Sequence, residues 1–564
     1  MRRAILASRT AAVMSLAALA ATLAYYVGRL FLPQPIYAGD VGSYLITALF
    51  SPEAAARDPL HAEAGNSVYL MGIRALHTLS GHYLAWLQVA SLAAYLGGLA
   101  AIHRVSANGL AARERWGFLL AALAFPYYRF VVAALPEGPY VAVLAAIGLV
   151  TARLYATRPM LHAALAGGLA AALALIKPHG VAVAAALAAL AALEAVISGR
   201  PGRGALRIIV LAAAFLAVGN AIKVGAGEPI GDPLTFFVGD YYRDALALAP
   251  PPGAGKLGLL AFFSMASALM LFAGAPCAVA LAELTGRWRA ERRDMRLQGQ
   301  DALVLLLVLA ALGTLAMVSL FAIKASVQAS ETRRLWGRYF EFFTPLLWLA
   351  AAPYLVRWAR SAGRPSRLAV AGVMLAGLAG LLIGFRAGIV LFPWDATALT
   401  AFFHPDPVRA PLGVRLPYRA LAVAASVAAA AAIAWRAPPW RVATAYFLAL
   451  GLLSTWLDHV WTGPIAQKRT EFDADIQVAA ALTPDEPALN AVLAVDNNDA
   501  QLGFLGLGGF AQVLPAQAGA PPPAAALTFK NLVVVAPATP PAGWACPYRG
   551  KQLAVCVHPA GDAR

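Results

Sequence analysis

Long apolar runs separated by short polar stretches recur along most of the chain. They stand at roughly 9–31, 82–102, 117–135, 139–156, 160–176, 180–198, 206–225, 257–284, 301–322, 340–357, 367–391, 418–435 and 441–457. At 1.5 Å of rise per residue such runs approach or cross a hydrocarbon core about 30 Å thick. The pattern predicts an all-α polytopic membrane bundle of about thirteen transmembrane helices. Alanine, glycine and leucine dominate the runs, which suits close helix packing in a bilayer. No sequence repeat of fixed period is visible.

Two regions break the series. The loop at about 32–81 carries two short helical patterns, near 42–56 and 66–79. The second has Val68, Leu70, Met71, Ile73, Leu76 and Leu79 as apolar positions, with Arg74 and His77 among them, the pattern of a helix lying in the interface plane. After Trp456 the texture changes. Residues 458–564 hold nine acidic residues against six Lys/Arg, a Pro-rich stretch at 515–523 and the short run Asn531-Leu532-Val533-Val534-Val535. This predicts a small α/β or β-rich domain at 458–564 appended to a membrane domain at 1–457.

Composition agrees with the pattern: 60% of residues are hydrophobic and 13% charged, with a mean hydropathy of +0.67. A soluble fold of this length cannot hide so much apolar surface. The formal charge of +16 would suggest nucleic acid in a soluble chain, but its source here is the arginine of alternate loops, so no nucleic-acid partner is expected. Those loops carry Arg2, Arg3 and Arg9; Arg104, Arg113 and Arg115; Arg153 and Arg158; Arg200, Arg203 and Arg207; Arg287, Arg289, Arg292, Arg293 and Arg296; Arg357, Arg360, Arg364 and Arg367; Arg436 and Arg441. The positive-inside rule places them in the cytoplasm, with the amino terminus, and places the tail outside. Met1-Arg2-Arg3 before an apolar run also begins a signal peptide, but the run continues through Tyr25 and Tyr26 with no clear cleavage site. The expected location is the bacterial cytoplasmic (inner) membrane.

Ionisable residues then gather on the outer side. Asp40, in Gly39-Asp40-Val41-Gly42-Ser43-Tyr44, follows the first run directly, and a carboxylate there seldom serves packing. The same loop holds Glu53, Asp58, His61 and Glu63; Glu53 and Asp58 flank Pro52 and Pro59 and fit turn or cap roles equally well. The next outer turn, Leu135-Pro136-Glu137-Gly138-Pro139, places Glu137 at the mouth of two helices, as a site acid or a helix N-terminal acid favoured by the macrodipole. Arg129 lies just before it, in Tyr127-Tyr128-Arg129. In Lys177-Pro178-His179-Gly180, Lys177 suits a phosphate contact or an interfacial anchor, and His179 suits a donor to phosphate or sugar.

Lys324, Arg333, Arg334 and Arg338 put four bases on the side where bases are otherwise scarce. Guanidinium groups match phosphate bidentately, and anionic lipid headgroups are the competing ligand. Tyr44, Tyr339, Tyr242 (within Asp240-Tyr241-Tyr242-Arg243-Asp244) and His404 (with Trp394, Asp395 and Asp406) are weaker candidate substrate contacts, as are Asp58 and Arg129. Cys546 and Cys556 flank a turn at Arg549-Gly550 and fit a disulfide in an oxidising compartment or two free thiols; Cys277 falls inside an apolar run.

In order and common face these motifs resemble the GT-C class of integral-membrane glycosyltransferases over about 1–460. Gly39-Asp40 resembles the class's acid in the first outer loop, and Pro136-Glu137-Gly138-Pro139 its acidic turn before the fourth span. Lys177-Pro178-His179-Gly180 stands where relatives have a base followed by glycine, and Arg338-Tyr339 with Pro345 resembles the Arg-Tyr…Pro opening of a late span. The resemblance implies a polyprenyl-phosphate sugar donor and a lipid, glycan or protein acceptor outside the membrane. It also implies catalytic roles for Asp40 and Glu137, and a donor-phosphate site among Lys177, His179, Arg333, Arg334 and Arg338. A single aspartate replaces the class's acidic pair, so no metal ligand is assigned and a divalent metal stays open as a cofactor. Two rival readings are a transferase like the O-antigen ligases, using polyprenyl diphosphate donors, and a transporter or flippase of lipid-linked sugars. Transporters place charges at the midplane, whereas here they gather at one face.

Overall fold

The computed structural model describes residues 20, 22–28, 38–57, 66–227, 249–250, 252–291, 297–325, 333–391, 395–402, 408–409 and 415–559. After a helical stretch at 22–28 come α1 (Ala38–Leu49) and α2 (Ser67–Leu79). The bundle follows as α3 (Tyr83–Ser106), α4 (Ala112–Ala124), α5 (Glu137–Leu154), α6 (Pro159–Ile176), α7 (Gly180–Ser198), α8 (Pro201–Gly225), α9 (Ala254–Glu291) and α10 (Gly299–Ala325). It continues with α11 (Phe343–Ala350), α12 (Ala352–Ser361), α13 (Arg364–Arg386), α14 (Tyr418–Ala434) and the 44-residue α15 (Pro439–Leu482).

Among the described residues eight helices are long and apolar enough to span, and α11 with α12 makes a ninth if counted as one broken span. The expected count of thirteen is therefore not reproduced by that measure. The run expected at 9–31 lies mostly outside the described residues. The run expected at 117–135 is cut short, because Pro126 forces Phe125 out of the helical region and α4 stops at Ala124. The run at 418–435 becomes α14, a shorter apolar helix, and the run at 441–457 is the first part of α15. Between α11 and α12 the axis bends by 57°. Pro353, at the start of α12, lacks the N–H that would continue the ladder.

The helices pack in pairs, α3 on α5, α6 on α8 and α9 on α13, around a core that includes Tyr95, Val141, Leu173, Phe272, Leu307 and Leu346. At the ends opposite α1 and α2, the arginines of the basic loops meet acids. Arg287 binds Asp301, Arg207 binds Glu194, Arg357 lies 2.7 Å from Glu283, and Arg360 lies 2.8 Å from Glu114. Of these, the surface pair Arg357–Glu283 contributes about 0–1 kcal/mol.

The tail forms a mixed five-stranded sheet. After the two-residue pair β1 (Val408–Arg409) and β2 (Arg415–Leu416), its strands are β3 (Asn490–Ala494), β4 (Gln512–Pro515), β5 (Asn531–Val535), β6 (Ala545–Arg549) and β7 (Leu553–Val557), in the order β4-β3-β5-β7-β6. β3 runs parallel to β4 and β5, with α16 (Asn497–Gly506) as the β3–β4 crossover, while β7 is antiparallel to β5 and β6. One face buries Val492, Val513, Val533 and Val555 against Phe472, Ile476 and Ala479 of α15. The other face buries Leu493, Leu532, Val534 and Trp544. Cys546 and Cys556 are bonded across the β6–β7 hairpin. α15 runs unbroken through the boundary expected at 457/458, so the helix that leaves the bundle also belongs to the tail's core.

Candidate active site

Glu137 and Lys177 meet because of how their helices end. Glu137 is the first residue of α5, where the helix dipole favours an acid. Gly138 beside it touches α3 so closely that any Cβ would collide with the Ser91 backbone, which seats the turn. Lys177 precedes Pro178 and is held extended (φ −156°, ψ 131°), so α6 stops at Ile176. The Asn66 amide donates to the Ile176 carbonyl at 2.6 Å and docks the start of α2 at the same point. Lys177 Nζ then donates to Glu137 Oε1 at 2.5 Å. The pair is only 6% and 1% exposed, and the second oxygen of Glu137 is buried with no hydrogen-bond partner.

Tyr339 gathers the rest. Its ring lies 4.4 Å from Lys177 Nζ, 4.8 Å from the Arg338 guanidinium carbon, and stacked on His179 at 4.4 Å and 24°. Arg338 also donates to the Tyr339 hydroxyl at 2.6 Å, and its backbone carbonyl accepts from Tyr127 at 2.8 Å. Cations over an aromatic face gain about 0.5–2 kcal/mol. Arg338 and Tyr339 sit in the short 3-10 turn Gly337–Tyr339. Burial first, then Lys177 and Arg338, hold the His179 ring well below its ordinary pKa, so it is neutral at neutral pH and its Nδ1 is buried without a partner. The result is two cations and one neutral imidazole around one ring, beside an acid.

The other predicted bases divide. Arg334 makes a two-pronged contact with Asp395, one arm at 2.7 Å, and stacks at 4.0 Å over Trp336. Arg333 is exposed. Arg129 is fully buried and donates to the Ala396 carbonyl at 3.1 Å. Glu341, also fully buried, accepts from the backbone N–H of Thr397 at 2.7 Å and of Leu399 at 2.8 Å. Arg129 and Glu341 thus brace the 395–402 segment, which in turn holds Arg334.

Tyr44 on α1 meets Tyr69 on α2 edge to face at 5.4 Å. Burial, then the charge of Glu137, push the Tyr69 hydroxyl well above its ordinary pKa, so it stays a proton donor. Its oxygen has no partner. Asp40 lies in the first turn of α1, one helical turn before Tyr44; its side chain lies outside the described residues. Asp58, His61, Glu63, Asp240, Tyr242, Asp244, Trp394, His404, Asp406 and the side chain of Lys324 also lie outside them. Tyr69 and Glu341 carried no sequence assignment. A lone carboxylate within Tyr339-Phe340-Glu341-Phe342-Phe343 was the available signal for Glu341, since an acid in such a run must be buried and satisfied. Among the described residues no three His, Cys, Asp or Glu side chains gather as a metal site would require.

A helical bundle that opens with the α1–α2 loop and ends in a small sheet domain is a fold this chain shares with solved structures. Among the solved structures that share it are two of ArnT from Cupriavidus metallidurans. The crystal structure bound to undecaprenyl phosphate is 13% identical, covers 95% of this chain and 97% of its own, and superposes with a TM-score of 0.50. The apo crystal structure is 16% identical, covers 97% and 98%, and gives 0.52. No family model matches the chain, and no curated protein matches it.

Proposed function

We propose that the chain is a glycosyltransferase of the cytoplasmic membrane that moves a sugar from a polyprenyl-phosphate donor to a lipid, glycan or protein acceptor on the outer face. The observation that carries this reading is the buried Glu137–Lys177 pair sharing Tyr339 with Arg338 and His179, at the end of the bundle opposite the arginine-rich loops. Burying cations together at one surface suits a ligand that brings its own negative charge. The polyprenyl phosphate held by ArnT supports the choice of carrier. Arginine bias supports the orientation, which impermeant labelling of the tail in intact cells tests.

In this mechanism Asp40 takes the proton of the acceptor hydroxyl, whose oxygen attacks the anomeric carbon as the bond to the phosphate oxygen breaks. The electron pair leaves with polyprenyl phosphate, and the anomeric configuration inverts. Lys177 and Arg338 neutralise the charge growing on the phosphate. His179 donates a hydrogen bond without adding charge. Glu137 holds Lys177 in place and helps to position the acceptor, the exposed Arg333 adds a further charge for the donor phosphate, and Arg334 supports Trp336.

Purified protein given labelled polyprenyl-phosphate sugars and membrane lipid acceptors is expected to form labelled product and free polyprenyl phosphate. Movement of the intact lipid-linked sugar across vesicles without any transfer would replace this reading with the transporter. Arg338→Ala weakens donor use by about tenfold or more, from charge-assisted contacts of roughly 1.5–3 kcal/mol each. Arg338→Lys recovers only part, because the planar fork is lost. Unchanged donor KM and kcat in Arg338→Ala would move the phosphate away from Tyr339.

A further inference from the structure

α1 is packed on two sides in the described structure. On one side Val41, Leu45 and Ala48 belong to the core of the membrane bundle. On the other, Ile46 is fully buried in the core of the tail's sheet, together with Phe504, Val492 and Val533. The crossover helix α16 lies directly on α1. At Gly42, one turn from the start of α1, a Cβ would stand 2.5 Å from the Gln501 side-chain oxygen and 3.4 Å from its Cβ. Gln501 is 3% exposed, and that oxygen is buried with no hydrogen-bond partner.

Just past α1, Phe50 meets Phe504 edge to face at 5.4 Å. Arg57 then ties the loop to the tail twice. Its guanidinium donates to the Gly509 carbonyl at 2.8 Å, and its carbonyl accepts from the Val513 N–H, at the sheet's edge strand, at 3.1 Å. The tail is itself fixed to the bundle by α15, whose Asp475 accepts from the Tyr548 hydroxyl at 2.8 Å and the Gln552 N–H at 2.7 Å. α1 is therefore clamped between two bodies that α15 joins.

We propose that the tail's sheet domain is a positioning element for α1, with Gln501 and Phe504 of α16 setting the rotation and height of the helix that carries Asp40. Polar satisfaction alone does not explain a glutamine oxygen pressed against Gly42, and the absence of a side chain at residue 42 is what allows the approach. Misplacing a reacting group by about 1 Å can cost a hundredfold in rate, so small shifts of α1 register in turnover before they register in donor binding.

This inference rests on the transferase reading, and its test separates the two. In hydrogen exchange on the full-length protein, Phe504→Ala is expected to speed exchange of the α1 amides about tenfold while α5 keeps its protection. In the transfer assay, Phe504→Ala and Gly42→Ala are each expected to lower kcat about tenfold with donor KM unchanged. Adding Gln501→Ala to Gly42→Ala restores most of the rate, because the obstructing atoms are gone. Unchanged α1 exchange in Phe504→Ala overturns the positioning role whatever the assay gives. So does a Gly42→Ala defect that Gln501→Ala leaves as it was, since the fault then lies within α1. A wild-type protein that transfers no sugar sinks the functional reading instead, and the exchange result stands apart from it.

Discussion

Asp40→Asn is expected to lower turnover by about a hundredfold or more while leaving folding and donor binding intact. The substitution keeps the size of the side chain and removes the proton acceptor. Asparagine is tolerated at a helix start, so α1 should persist. The placement of Asp40 supports the role: it lies one turn before Tyr44, whose ring packs on Tyr69, whose hydroxyl lies within reach of the Glu137 field. The measurement is single-turnover transfer at saturating donor and acceptor, beside a donor-binding titration. Near-full turnover in Asp40→Asn would send the search for the base elsewhere, first to Asp58. Loss of folding would make Asp40 a structural residue.

Lys177→Met should lose both stability and transfer. It leaves the Glu137 carboxylate, 1% exposed, without its ammonium partner. Breaking a buried pair from one side costs about 3–5 kcal/mol. The double variant Lys177→Met with Glu137→Gln removes both charges and should regain most of the stability, since replacing a buried pair by neutral groups is often tolerated. Transfer should stay at least about tenfold down in the double variant, because the donor phosphate has lost a charge-assisted contact. Thermal midpoint and transfer rate, measured on both variants, separate the two roles. Recovery of both together would make the pair a fold element only, and a stable Lys177→Met would mean the pair contributes little to the fold.

The motifs were legible where local chemistry fixes them, and their partnerships were not. Lys177 before Pro178 had to end a helix, and Arg338-Tyr339 stood out as base on a face poor in bases. No spacing tells that Lys177 reaches back 40 positions to Glu137, or that Arg334 spends its fork on Asp395, 61 positions away. Arg129 read as a candidate substrate contact from its place near a helix mouth; nothing in its position told that it is fully buried and donates to the Ala396 carbonyl. The span pattern carried the fold class because bilayer length is a strong filter. Its count of thirteen is not reproduced where the helix pattern breaks, as after Pro126, where the chain stays buried but leaves the helix.

α15 runs as one helix from the bundle into the sheet domain. A helix of 44 residues is about 66 Å long, while the hydrocarbon core is about 30 Å thick. A bilayer span would use only about half of that length, and Phe472, Ile476 and Ala479 in the later part are built into the sheet's core. In the proposed orientation the sheet domain is a roof over α1 on the outer side, joined to the membrane body by a helix and not by a loop. On the proposed reading, a bulky acceptor cannot wait for that roof to swing open. Entry runs sideways, along the bilayer surface, the route open to a molecule that is itself lipid-borne.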